Sequence, residues 1–264
     1  MGDPVVKLSR GLPFLFLALV LVYLYAPVVV IVLFSFTTSP RLSMPIEGLT
    51  LDWYANALSN PLMSAALANS LTLAAVSAVL CGIVGAAFAF GLVALKRPGL
   101  RAALLGASLL PAIVPLLVIG ISLAVFFRAL GFPQGMLNAA IGHILVSLPF
   151  VVLTMNARLE TFDFSTLEAA RDLGATPLRA FRDVTLPLIR PSIIGAALLA
   201  AALSLDEFVV TWFNIGNQLS VPVLVWGLMR RGVDPSINAI ATILLTALVC
   251  LVVASNLLNR KKTS

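Results

Sequence analysis

Two adjacent acidic residues, Asp206 and Glu207, lie within a long apolar stretch and are the first candidates for chemistry in the sequence. A charged side chain at the centre of a membrane helix costs ~2.5–3.5 kcal/mol on insertion scales, so such a group usually faces a cavity or a partner. The pair follows Pro191 by about 15 residues, which in a helix is roughly 22 Å along the axis. Both acids are therefore expected in the outer third of a membrane, where they would attract a cation into a translocation path.

Two other interpretations of the acidic pair stay open. In the first, the helix ends near Leu205 and leaves both acids at the wet interface of the membrane. In the second, the acids form structural ion pairs with Arg230 or Arg231.

Aromatic side chains and one histidine complete the set of candidate residues. Residues 222–229 are apolar but too short to span, so the proline that opens them predicts a short interfacial or re-entrant helix. Trp226 suits a headgroup boundary, and Trp212 and Trp226 are the aromatic candidates for a solute path. His143 is the only histidine. With no ligand partner near it in sequence, we expect it to be packed and hydrogen-bonded rather than to act as a proton relay, and we predict no metal site.

Composition identifies the surroundings of these residues as a membrane. Of 264 residues, 60% are hydrophobic and 11% are charged, and the mean hydropathy is +1.07. Soluble domains average about 25% charged residues. These values exclude a soluble enzyme, a disordered chain and a nucleic-acid binder.

Runs of apolar residues long enough to cross a bilayer predict an all-α membrane protein with six transmembrane helices in one domain, residues 1–264. Pro111 and Pro115 should kink the third helix. Gly82, Gly85 and Gly91 should allow close packing of the second. The predicted spans are 13–36, 66–95, 102–127, 137–157, 191–213 and 237–259.

The distribution of Lys and Arg predicts the orientation. The segments that share a side with the termini carry 13 of the 17 basic residues, and the opposite segments carry Arg41, Arg128, Arg230 and Arg231. Because Lys and Arg accumulate in cytoplasmic loops, both termini should be cytoplasmic.

The one long loop on that side, residues 158–190, has strong local signals. Ser165 and Glu168 are spaced as a capping box, and Gly174 suits the left-handed residue after a helix. Thr176 followed by proline predicts the start of a second helix, which Leu186-Pro187 would end. The loop should therefore be helix, glycine turn and helix. It would either fold back onto its own bundle or dock a cytoplasmic partner.

The loop resembles the EAA motif of bacterial ATP-binding-cassette (ABC) importer permeases. The motif is E-A-A, three residues, G, nine residues, I, one residue, L-P, and this sequence departs from it only at Val184. The resemblance implies the type I ABC importer permease fold, with residues 158–190 (the EAA loop) coupled to a separate ATPase. The coupling residues it implies are Glu168, Ala169, Ala170, Gly174, Val184, Leu186 and Pro187.

The resemblance extends over nearly the whole chain to the second permease subunit of spermidine/putrescine importers. It is carried by 52–54, 69–73, 204–208, 222–235 and 237–242. It implies a multi-pass protein of the bacterial inner membrane that forms half of a solute path. The implied solute is a polyamine, or another small cationic or zwitterionic compound such as an opine or an aminophosphonate.

The implied partners are a pair of ATP-binding subunits, a homologous second permease, a periplasmic solute-binding protein and the lipid bilayer. The sequence contains no Walker motif G-x-x-x-x-G-K-[ST], so ATP and magnesium are expected on the partner ATPase, with no cofactor on this chain and no enzymatic activity. A self-contained secondary transporter is the alternative, but such proteins usually contain internal repeats, and none is visible here. An intramembrane enzyme would need a Ser/His or paired-carboxylate arrangement, and only Asp206 and Glu207 approach one.

Overall fold

The computed structural model describes residues 4–39, 45–230 and 235–260, and within them the protein is helical apart from an isolated bridge between Thr37 and Leu49. A π-helical turn, Phe181–Thr185, joins two of the helices. In chain order the helices are α1 (Pro4–Phe34), α2 (Asp52–Ser59), α3 (Pro61–Ala94), α4 (Pro98–Ile113), α5 (Leu116–Ala129), α6 (Met136–Glu160), α7 (Ser165–Asp172), α8 (Pro177–Ala180), α9 (Leu186–Asp206), α10 (Val209–Asn214), α11 (Val221–Met229) and α12 (Pro235–Arg260).

Five helical segments of the described chain are long and apolar enough to cross a membrane, and the bent pair α4–α5 makes six if it counts as one span. The all-α membrane fold is thus confirmed. The side on which the termini lie stays a prediction. Four basic residues used to predict it lie outside the described residues: Arg41, Arg231, Lys261 and Lys262.

The centre of the bundle is formed by α3, α6 and α9, which pack against one another. Small residues bring the backbones together, because a Cβ on Gly85 would overlap the Val151 side chain and one on Gly82 would touch Ala197. Gly91 has open space around its Cα, so it does not bring helices of this chain together. In contrast, the apolar part of α1, Leu12–Phe34, is not buried by the other helices of this chain.

The third predicted span, 102–127, is broken rather than kinked. Helices α4 and α5 meet at 96° across Val114 and Pro115. The ring of a proline disfavours the α conformation of the residue before it, and Val114 is accordingly extended (φ −74°, ψ 133°). Pro111 lies inside α4 without breaking it.

The helices that form the fifth predicted span, 191–213, do not share its bounds. Residues Pro177–Asp206 form one continuous helical segment of 30 residues, so Leu186-Pro187 does not end a helix, and the 158–190 loop leads into α9 without a break. The π-helical turn is the physical reason, because its wider backbone accommodates a proline one turn further on. At the other end α9 ends at Asp206, and α10 is a separate helix.

Candidate functional site: the EAA loop and the break after Asp206

The turn at the tip of the EAA loop is a complete Schellman motif. Gly174 has φ +90°, the left-handed conformation that glycine adopts without a Cβ penalty. Its N–H donates to the Arg171 carbonyl at 2.9 Å, and the Ala175 N–H donates to the Ala170 carbonyl at 3.1 Å. These two bonds satisfy the last carbonyls of α7 and fix the angle at which the chain turns.

The start of α7 differs from the predicted capping box. Ser165 is the first helical residue and makes no cap through its side chain. Instead, the Asp163 carboxylate accepts a hydrogen bond from the Ser165 N–H at 3.0 Å, and the Thr166 hydroxyl donates to the Asp163 carbonyl at 2.8 Å. Hydrogen bonds from the Ser165 side chain and backbone hold the pKa of Asp163 below its usual value. Asp163 thus takes the N–H of Ser165 that the capping box assigned to the Glu168 side chain.

The start of the second helix is as the sequence predicts. The Thr176 hydroxyl accepts a hydrogen bond from the Arg179 N–H at 3.4 Å, and Pro177 occupies the first helical position. Both halves of the EAA motif come together here, because α7 packs against α8 and the π-helical turn.

The EAA loop is anchored at its base and exposed at its tip. Phe181 packs edge-on against Phe90 of α3 with ring centroids 5.4 Å apart, and Phe162 packs in the same way on Phe164 at 5.0 Å. In contrast, α7 has no buried residue, and Leu173 at the tip is 90% exposed. Of the coupling residues, Ala170 and Val184 are half-buried and the others are exposed: Glu168, Ala169, Gly174, Leu186 and Pro187.

An ion pair fixes the helix that enters the EAA loop. The Arg101 guanidinium of α4 donates to the Glu160 carboxylate of α6 at 2.7 Å, and Asn156 donates to the same carboxylate oxygen at 3.0 Å. The start of α4 and the end of α6 are therefore held together directly before the loop begins.

The two acids after α9 have different surroundings although they are adjacent. Asp206 is the last residue of α9 and is exposed, whereas Glu207 is 7% exposed. The Glu207 carboxylate accepts a hydrogen bond from the Val210 N–H at 2.7 Å, so it caps α10. Of the two carboxylates, that of Asp206 is the exposed one and is better placed to meet a solute.

Neither alternative for the acidic pair holds for both residues. The helix does end beside Leu205, as one alternative expected, but Glu207 is buried rather than at a wet interface. In the described part of the chain, neither acid forms an ion pair with Arg230, whose guanidinium lies over the Trp226 ring at 5.2 Å. Arg231 lies outside the described residues.

Asp206 lies on the boundary of two cavities. The first, of about 490 Å³, lies between α9, α11 and α12 and is lined by apolar side chains and by Trp226. The second, of about 440 Å³, lies between the α4–α5 bend, α6 and the break, and Glu207 is part of its lining. Asp206 and Phe208 line both cavities, so they form the wall between them.

Aromatic rings surround this wall. Phe208 has its ring centroid 5.5 Å from that of Trp226 and 5.8 Å from that of Trp212. Trp212 lines neither cavity beside Asp206 and contributes instead to a separate cavity of about 260 Å³. Phe208 is the residue that the sequence analysis missed, although its position directly after the acids was a usable signal.

His143 connects the break to the bundle. It is 1% exposed, and its ring nitrogens lie 2.6 Å from the hydroxyl oxygens of Ser204 and Thr211. The prediction that His143 is packed and hydrogen-bonded is confirmed. Its partners lie on either side of the acidic pair, 61 and 68 residues away along the chain, and no local pattern predicts contacts at that separation.

Comparisons with known proteins agree with this architecture. The family of binding-protein-dependent transport system inner membrane components matches residues 78–263. The spermidine/putrescine transport system permease protein PotC of Escherichia coli (strain K12) is 36% identical over 230 residues, which are 87% of this chain and 86% of that protein. The putrescine transport system permease protein PotI of the same strain is 37% identical over 222 residues, 81% of this chain and 79% of that protein.

A solved structure of a bacterial ABC transporter involved in the import of the acidic polysaccharide alginate shares the fold. It superposes with a TM-score of 0.72 at 16% identity and covers 98% of this chain and 96% of its own. At that identity it supports the fold alone.

A multi-pass bundle of apolar helices with a projecting EAA loop defines the class, the membrane subunit of an ABC importer. This chain belongs to the family of binding-protein-dependent transport system inner membrane components. It is a non-catalytic permease subunit in the inner membrane, and membership of the family implies an ATPase and a periplasmic binding protein as partners.

Proposed function

We propose that this subunit forms half of an inward path for a small organic cation of the polyamine type, and that Asp206 contacts the solute. The observation that carries the proposal is the position of the Asp206 carboxylate, exposed on the wall between two cavities. The names of the similar permeases PotC and PotI support a polyamine as the solute.

The chemistry of the wall suits an alkyl ammonium ion. A carboxylate attracts the charge, and aromatic faces stabilise a cation at ~0.5–2 kcal/mol per contact. Phe208 and Trp226 lie beside Asp206 in the larger cavity. The remaining lining of that cavity is apolar, which suits the methylene chain of a polyamine. The Arg230 guanidinium already over the Trp226 ring indicates that this face accepts a cation.

Coupling to ATP hydrolysis would use the EAA loop. Its exposed α7 offers a surface to an ATP-binding subunit, which would carry the ATP and magnesium. We propose that this loop is cytoplasmic, with both termini on the same side. Closure of two ATP-binding subunits would draw the loops of two permeases together and open the path outward, and hydrolysis would reset it.

The other half of the path would come from a homologous second permease. The apolar part of α1, Leu12–Phe34, is not buried by the other helices of this chain, which supports a role for this helix in contacting a neighbouring subunit or lipid. We therefore propose a heterodimer that receives solute from a periplasmic binding protein.

Two experiments test the proposed solute and its contact. The first measures binding of spermidine, putrescine and sulfate to the companion periplasmic protein, and binding of sulfate alone would overturn the polyamine proposal. The second measures uptake of radiolabelled spermidine by vesicles that contain the assembled transporter. Asp206→Asn should lower uptake per ATP at least about 10-fold, because the amide keeps an acceptor but loses the charge, and a charge-assisted hydrogen bond contributes about 1.5–3 kcal/mol.

A matched control separates this effect from a general loss of charge. Asp52→Asn removes an exposed carboxylate from α2, outside both cavities and away from the EAA loop. It should leave uptake per ATP unchanged. Wild-type uptake by Asp206→Asn would contradict the role of Asp206.

A further inference from the structure

We propose that His143 is a positioning residue for the solute path, which acts through Thr211 on the backbone of Glu207 and so sets where the Asp206 carboxylate lies. The inference rests on the proposed function, in which Asp206 contacts the solute. It adds a residue that touches neither the solute nor an acidic side chain.

The hydrogen bonds around His143 all donate in the same direction. The Thr211 hydroxyl donates to the Glu207 carbonyl at 2.7 Å, which uses its only proton. Its oxygen must then accept from Nε2–H of His143 at 2.6 Å, so the neutral form of this ring is the Nε2–H tautomer. Nδ1 is left as an acceptor and takes the Ser204 hydroxyl proton, also at 2.6 Å. The donors therefore run from Ser204 through His143 and Thr211 to the Glu207 carbonyl, and hydrogen bonds linked in this way polarise one another.

This series of hydrogen bonds spans the break between α9 and α10, where the helical backbone hydrogen bonds stop. Ser204 is on α9 before the break, Thr211 is on α10 after it, and His143 is on α6 beside both. Glu207 is extended (φ −71°, ψ 105°), and the side chain of Thr211 satisfies its carbonyl. The histidine therefore fixes the backbone angle directly after Asp206.

The same contacts explain why the two acids divide their roles. The carbonyl of Glu207 is bound by Thr211, and its carboxylate is bound by the N–H of Val210. Both polar ends of Glu207 are thus used inside the protein. Asp206 is left at the end of α9 with its carboxylate on the cavity wall.

Helix α10 is held by other contacts as well, so loss of the histidine would not release it. The Asn214 amide donates to the Gly120 carbonyl of α5 at 3.0 Å. Val210 packs so closely on Gly142 that a Cβ there would overlap its side chain. A variant at position 143 or 211 would consequently change the break and leave the bundle assembled.

Two matched pairs of substitutions test the proposal in vesicles that contain the assembled transporter and saturating spermidine-loaded binding protein. Thr211→Val keeps the shape and removes the hydroxyl, whereas Thr211→Ser keeps the hydroxyl. His143→Gln places an amide nitrogen near the position of Nε2, whereas His143→Asn reaches only as far as Nδ1. The readout is radiolabelled spermidine moved per ATP hydrolysed, because a purely structural defect lowers both rates together and leaves the ratio unchanged.

We expect Thr211→Val and His143→Asn to lower this ratio about 3- to 10-fold, the effect of losing one neutral hydrogen bond. Thr211→Ser and His143→Gln should remain close to wild type. An unchanged ratio in both Thr211→Val and His143→Asn, or equal loss in His143→Gln and His143→Asn, would overturn the inference. If Thr211→Val does not assemble, the two variants of His143 decide.

Asp206→Asn in the same vesicles separates the two proposals. A wild-type ratio for Asp206→Asn would overturn the proposed function itself. A lowered ratio for Asp206→Asn, with wild-type ratios for Thr211→Val and His143→Asn, would overturn only the positioning role of His143.

Discussion

The backbone N–H of Leu186 donates to the carbonyl of Phe181, five residues earlier, and this wide turn carries the helix past Pro187. The second half of the EAA loop, from Pro177 onward, and Asp206 therefore lie on one continuous helical segment, Pro177–Asp206. At 1.5 Å per residue it is about 45 Å long. We therefore expect a displacement at α8 to reach the acidic residue along this segment.

This continuity predicts a strong effect of inserting one alanine between Thr185 and Leu186. The insertion would rotate the EAA loop by about 100° relative to Asp206 and shift it about 1.5 Å. We expect uptake to be lost while the ATP-binding subunit still co-purifies. The control is an alanine inserted between Lys96 and Arg97, in the exposed connection between α3 and α4, which should retain more uptake. Similar uptake by both variants would argue against a rigid connection.

Gly174 is predicted to be intolerant of β-branched residues. Its φ of +90° disfavours any side chain, at ~1–2 kcal/mol, and most strongly a β-branched one. Gly174→Val should lower spermidine uptake per ATP, because the angle between α7 and α8 changes. Gly174→Asn should be milder, since asparagine tolerates the left-handed region. Gly106→Val, at an uncrowded helical position, is the control, and normal uptake by Gly174→Val would refute a coupling role for this turn.

Loss of the negative charge should change uptake little at Glu207 and strongly at Asp206. Glu207→Gln keeps an oxygen that accepts from the Val210 N–H, so uptake should remain within about 3-fold of wild type. Glu207→Ala leaves that buried N–H unpaired, at a cost of about 1–3 kcal/mol. The midpoint of thermal unfolding of the purified complex should therefore fall for Glu207→Ala and be preserved for Glu207→Gln. A larger uptake defect in Glu207→Gln than in Asp206→Asn would reverse the roles assigned here.

Several local features of the EAA loop could be predicted from the sequence because neighbouring residues determine them. Gly174 and Thr176 adopt the conformations that their side chains favour, whatever the rest of the bundle does. The predicted capping box at Ser165 was wrong because Asp163, two residues away, competes for the same N–H group.

The end predicted for the helix at Leu186-Pro187 was wrong for a different reason. Proline usually ends a helix because it lacks an N–H group and its ring clashes with the preceding turn. Here the π-helical turn removes that conflict, and it is packed against the bundle through Phe181 and the buried Thr185. Helix propensity sets the free-energy cost of a proline inside a helix, but tertiary packing decides whether the helix continues through it.

By itself the sequence determined that this chain is a bundle of membrane helices with a projecting EAA loop, because apolar length and turn chemistry are local properties. Only the tertiary structure decided which of the two carboxylates is exposed and which is buried and hydrogen-bonded. Asp206 and Glu207 have the same charge and adjacent positions, and they differ in what lies around them: the cavity wall for Asp206 and the N–H of Val210 for Glu207. The partners of His143 are likewise 61 and 68 residues away along the chain, so only packing of α6, α9 and α10 brings them together.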